Sequence, residues 1–136
     1  MKKILLLLSL IALAFGCASR SAGTFDASGA GKEIPARVYD AAQDLVFTRA
    51  QEAAYALDWK VNSADKDQWT FFASTPATSY TWGDDVTVKV SKTADGKMRV
   101  DVLSRTALQV YDWGENKKNI LDFYDKLDAL MAAPLR

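Results

Sequence analysis

Two stretches of the chain, "DVTVKVS" from Asp85 to Ser91 and "MRVDVLS" from Met98 to Ser104, alternate apolar and polar residues, the second as far as Val102. A strand projects successive side chains to opposite faces, so such alternation marks a sheet with one face buried and one wet. Parity then sets the pairing. Val90 shares a face with Val100, and Val88 with Val102, only if Thr93 and Lys97 form the last pair of the hairpin. The loop is therefore Ala94-Asp95-Gly96, with Gly96 in the left-handed position of a bulged turn. This register also sets Lys89 across from Asp101 on the outer face, a favourable cross-strand pair. A two-residue Asp-Gly turn would place valines opposite charges.

The neighbouring segments follow from the same reasoning. A strand is expected from Glu33 to Tyr39, with Pro35 marking an edge or a strand start. Asp40 and Gln43 have capping-box spacing, and Val46, Ala50, Ala53, Ala54 and Leu57 form one helical stripe with Phe47 at its margin. The helix is expected to end near Leu57, with Asp58 as a left-handed stop. "WKVNSA" and "QWTFFAST" read as strands that put Trp59 and Val61 on one face, and Trp69, Phe71 and Ala73 on one face, joined by the acidic turn Asp65-Lys66-Asp67. Asp112 lies three residues before Glu115, a second capping-box spacing. The apolar face Ile120, Phe123, Tyr124, Leu127, Leu130 and Met131 makes the last helix. The order strand, helix, four strands, helix predicts an α+β fold: an antiparallel sheet of four to five strands with two helices packed on one face.

The first residues carry a different signal. Lys2 and Lys3 precede the apolar run Ile4 to Phe15, which is too short for the roughly 20 helical residues that cross a bilayer. This reads as an export signal. The run ends in "LAFGC", which resembles the lipobox of bacterial lipoproteins, with Ala14 where leucine is usual and Phe15 bulky for its place. That resemblance implies cleavage before Cys17, a diacylglycerol thioether on its sulfur and an acylated amino terminus. It also accounts for a single cysteine in an exported chain. Ala18 in place of aspartate, by resemblance to enterobacterial sorting, implies the outer membrane, facing the periplasm.

The expected organisation is a lipoprotein signal over residues 1–16, a lipidated Cys17 with a tether to residue 32, and a single domain over 33–136. The Gly-, Ala- and Ser-rich stretch from Ala18 to Lys32 would span on the order of 20 Å root-mean-square. Cleavage removes Lys2 and Lys3, leaving 15 basic against 17 acidic side chains and a net charge of −2. With neither a basic patch nor a run of like charge, no nucleic-acid partner is expected.

The sequence contains no histidine, which removes the commonest general base near neutral pH and the usual zinc ligand. Cys17 would be acylated, and no G-x-S-x-G elbow is present. We therefore expect no enzyme and no catalytic residues, no cofactor and no metal. Asp65 with Asp67, and Asp84 with Asp85, read as turn and strand-edge residues rather than cation ligands.

"YTWGDD" at Tyr80 to Asp85 and "YDWGEN" at Tyr111 to Asn116 are near-duplicates, each of the form Tyr-x-Trp-Gly-acid-(Asp/Asn). Each tryptophan either plugs one end of the core or lines a partner surface. In the second case Tyr80, Trp82, Arg105, Tyr111 and Trp113 are the candidate binding surface, since Trp, Tyr and Arg dominate such anchors.

Asp84, Asp85, Val86, Asp101, Ser104, Arg105, Asp112, Gly114, Asn116 and Ile120, with the upstream "YALDWKV", resemble the pattern of an exported bacterial family, domain of unknown function fourteen-ninety-nine. The likeness covers roughly the last two thirds of the chain. It departs at Thr106 and Ala107, where the family repeats a serine-arginine pair. The layout is also similar to the helix-grip modules of outer-membrane assembly lipoproteins, a likeness of fold that transfers no function. The expectation is a non-enzymatic, membrane-anchored envelope lipoprotein that meets another envelope component, with an envelope protein as candidate partner. The alternative is a binder of a small apolar or lipid ligand in a helix-sheet crevice lined by Trp59, Trp69, Trp82 and Trp113.

Overall fold

The computed structural model describes residues 34–79, 82–106 and 114–134. Cys17, Tyr80, Tyr111, Asp112 and Trp113 lie outside them. The element order is β1 (Arg37–Tyr39), α1 (Gln43–Ala56), β2 (Lys60–Asp65), β3 (Thr70–Ser74), β4 (Asp84–Lys92), β5 (Met98–Thr106) and α2 (Glu115–Ala132). The strands make one antiparallel sheet in the order β1-β5-β4-β3-β2, with both helices on one face. This is the expected α+β fold with five strands.

Hairpin β4–β5 takes the register that parity demands. Val90 pairs with Val100, Val88 with Val102 and Lys89 with Asp101. The Thr93 amide donates to the Lys97 carbonyl at 2.8 Å, and Gly96 closes the turn at φ +88°. Asp58 is left-handed at φ 59°, stopping α1 as expected.

The inner face of the sheet carries Phe71, Ala73, Val86, Val88, Val90, Met98, Val100 and Val102. Against it lie Val46, Ala50, Ala53 and Ala54 of α1, and Ile120, Phe123, Tyr124 and Leu127 of α2. The alanines let α1 approach the sheet closely. Phe47 is buried rather than marginal, because its ring meets Trp69 and Phe71 edge to face at 5.5 and 6.0 Å.

The first capping box gives way to another arrangement. α1 begins at Gln43 with Ala42 as N-cap and no side-chain cap, so Asp40 lies too far upstream to serve. Gln43 instead donates its side-chain amide to the Val90 carbonyl, tying the helix start to the sheet. α2 is capped by Gly114, again without a side-chain bond. The second capping box rests on Asp112, which lies outside the described residues. The first strand is shorter than expected, with Ile34 in an isolated bridge ahead of Arg37–Tyr39, but it does occupy an edge. The other edge, β2, is kinked by a register shift between Val61 and Ser63, which blunts it against stray pairing.

β1 is held to α2 by a polar clasp. Tyr39 donates its hydroxyl to Asp128 at 2.6 Å, Arg37 Nε donates to the same carboxylate at 3.1 Å, and the Arg37 guanidinium lies over the Tyr124 ring. Burial, and then the hydrogen bond to Asp128, push the Tyr39 phenol well above its ordinary value of 10.0. The phenol must stay protonated to hold the clasp. Its contribution to stability is therefore complete below pH 10 and is lost as pH rises beyond that value. Urea midpoints should fall more steeply between pH 9 and 11 for the native chain than for Tyr39→Phe. Parallel pH profiles would remove the clasp from the account.

Candidate functional site

The polar residues at one end of the helix-sheet sandwich follow from strand parity. Positions 84, 86, 88 and 90 share the inner face of β4, and 98, 100, 102 and 104 share that of β5. Asp84 and Ser104 therefore point inward at the end of an otherwise apolar surface. A buried polar group is tolerated only with hydrogen-bond partners, and α2 supplies them. Ser104 donates to Asn116 Oδ1 at 2.6 Å, Asn116 Nδ2 donates to Thr106 Oγ1 at 2.9 Å, and Asn119 Nδ2 donates to Asp84 Oδ2 at 2.7 Å. Asp84, Ser104 and Asn116 are the buried polar side chains among the described residues. All three belong to the set that carries the family resemblance. Asp84 begins a strand as expected, but it is a buried structural carboxylate rather than an edge residue.

The same cluster locks the loop before β4. The Thr75 amide donates to the Asp84 carbonyl at 3.0 Å, and the Asp84 amide donates to Thr75 Oγ1 at 2.8 Å. Gly83 adopts φ +92°, and a Cβ there would stand 2.5 Å from the Thr75 carbonyl oxygen. Only glycine fits this turn. Its upstream neighbour Trp82 is 77% exposed. The loop thus presents an indole to solvent from a base fixed at both ends. Arg105 is also exposed and pairs across the ladder with Asp85. Of the candidate surface residues, the described region contains Trp82 and Arg105. Both lie at this end of the sheet and both face solvent.

Beside the loop is an open cleft of about 190 Å³, lined by Trp59 and Pro76 on one side and by Asp84, Glu115, Lys118 and Asp122 among its polar groups. Lys118 donates to Asp122, and that hydrogen bond with the carboxylate's charge holds its ammonium above the ordinary lysine value. Trp59 stacks on Phe123 with ring centres 5.5 Å apart and an interplanar angle of 14°. Trp69 packs on Phe47 toward the opposite end of α1. The two indoles are committed to separate parts of the core and do not share a crevice. Among the described residues, no three His, Cys, Asp or Glu side chains come together to hold a metal ion.

The inward direction of Asp84 and Ser104 was available from the alternation that gives the hairpin register. Asn116, one helical turn before Ile120, was the natural partner to seek. The link from Asp84 to Asn119, 35 positions apart, has no local signal. Neither family models nor curated proteins yield a match to this chain.

Proposed function

We propose that the chain is a membrane-anchored lipoprotein of the bacterial cell envelope, acylated at Cys17, placed at the outer membrane and facing the periplasm. Its small α+β domain acts without catalysis as an accessory module and contacts another envelope component through the end bearing Trp82 and Arg105. The observation that carries the contact is Trp82 itself, a large aromatic left in water beside the hydrogen-bonded, glycine-locked base of its loop. Tryptophan is among the residue types most enriched as anchors of interaction surfaces.

Anchoring is assigned to Cys17 because the apolar run Ile4 to Phe15 ends in the lipobox-like "LAFGC". Each buried acyl methylene contributes about 0.8 kcal/mol, so two or more chains hold the protein stably. The non-catalytic reading rests on the lack of histidine and on carboxylates already engaged, Asp84 by Asn119 and Asp122 by Lys118. We propose membership of the uncharacterised exported family on the same footing. Its support is that Asp84, Ser104 and Asn116 are needed together at one buried site.

Cys17→Ser tests the anchor. The native chain should fractionate with membranes and carry acyl mass, whereas the variant should appear in the soluble periplasmic fraction. Unchanged membrane association of the variant would refute the assignment.

A further inference from the structure

The direction of β1 shows from which side the chain reaches the sheet. Arg37 lies opposite Val100 and Tyr39 opposite Met98, so the chain enters β1 from the side of the sheet where β5 ends at Thr106. Asp84, the first residue of β4, pairs with Thr106. Trp82 therefore projects from the end of the sheet by which the N-terminal segment arrives. β1 and β4 flank β5 about 10 Å apart sideways, and Arg37, level with Val90, stands six residues or about 20 Å along the strands from the Asp84–Thr106 end. The tether expected between Cys17 and this entry point spans only on the order of 20 Å. An acylated Cys17 on such a tether would let the Trp82 end reach the bilayer.

We infer that Trp82 seats in the interfacial layer of the membrane, so that the partner of this surface is the lipid itself and the domain is held in one orientation. The inference rests on the lipoprotein reading above. Indole suits that layer because its apolar ring and single N–H donor match a region apolar on one side and wet on the other. Charge does not drive the contact. Arg105 stands opposite Asp85 in the strand register, so opposite charges neighbour each other there, and Lys118 is paired with Asp122 in the adjoining cleft. Seating should accordingly be insensitive to ionic strength.

The test uses the mature acylated chain reconstituted in phosphatidylethanolamine/phosphatidylcholine vesicles, with and without brominated phosphatidylcholine. In the native chain, bromolipid should quench part of the tryptophan emission, and reconstitution should reduce quenching by aqueous acrylamide. Both effects should be lost in Trp82→Ser, whose melting curve should stay unchanged because the side chain is exposed. Equal bromolipid quenching in the native chain and the variant would overturn the inference. So would an indole that stays open to acrylamide on vesicles but is shielded in native envelopes, an outcome that assigns the surface to a protein. Flotation and intact mass of the same samples separate the two levels. An acylated chain that floats without Trp82 quenching defeats this inference alone, whereas a chain that neither carries acyl groups nor floats removes its premise as well.

Discussion

Gly83→Ala is expected to destabilise the domain by about 3 kcal/mol, from two costs that add. A side chain at φ +92° costs roughly 1–2 kcal/mol in the left-handed region. The new Cβ would also stand 2.5 Å from the Thr75 carbonyl oxygen, a backbone atom that cannot swing aside. Thr75 can yield only by loosening its two hydrogen bonds with Asp84, each contributing about 1 kcal/mol. For a domain near 100 residues, 3 kcal/mol corresponds to a fall in Tm of roughly 12–24 °C, readable by circular dichroism. Gly114→Ala is the control. Its φ is +91°, but nothing lies within 4 Å of the added carbon, so only the conformational cost applies. Equal losses at the two positions would show that the contact with Thr75 does not constrain the loop.

Asn116→Leu is expected to cost about 2–4 kcal/mol, because it strips hydrogen bonds from groups that cannot turn to water. Ser104, fully buried, loses the acceptor of its hydroxyl, and Thr106 loses the amide that donates to it. Ser104→Ala alone should cost less, since the removed group takes its own demand with it. The double variant should cost clearly less than the sum of the singles, as the two side chains satisfy each other. Urea midpoints at constant m-value give the comparison. Strict additivity would mean that Asn116 stabilises through contacts other than Ser104.

These two variants separate roles that one motif combines. In the Tyr-x-Trp-Gly segment before β4, glycine and the following aspartate build the loop, whereas the tryptophan between them and solvent makes no demand on the core. A stable Trp82→Ser variant that loses membrane seating, beside a Gly83→Ala variant that loses fold stability, would divide the segment into scaffold and contact.

Local pattern was sufficient where the physics is local. The strand period of two set the β4–β5 register and the three-residue turn closed by Gly96, and the helical period picked out the buried stripe of α2 from Ile120 to Leu127. Spacing failed at the start of α1. A capping box needs only two residues three apart, and Asp40 with Gln43 satisfied that while Gln43 was drawn to the Val90 carbonyl across the sheet. Trp59 and Trp82 are the same residue type in similar loop-flanking contexts, yet one is stacked on Phe123 and the other is open to water. Burial depends on where α2 docks, which no window of sequence contains. The sequence by itself determined the order of elements, the hairpin register and the inward direction of Asp84 and Ser104, because those depend on backbone periodicity. Only the tertiary structure decided that Asn119 would meet Asp84, that Trp82 would stay outside, and that β1 would run from the side of the sheet on which this indole lies, because each is set by packing between segments distant in the chain.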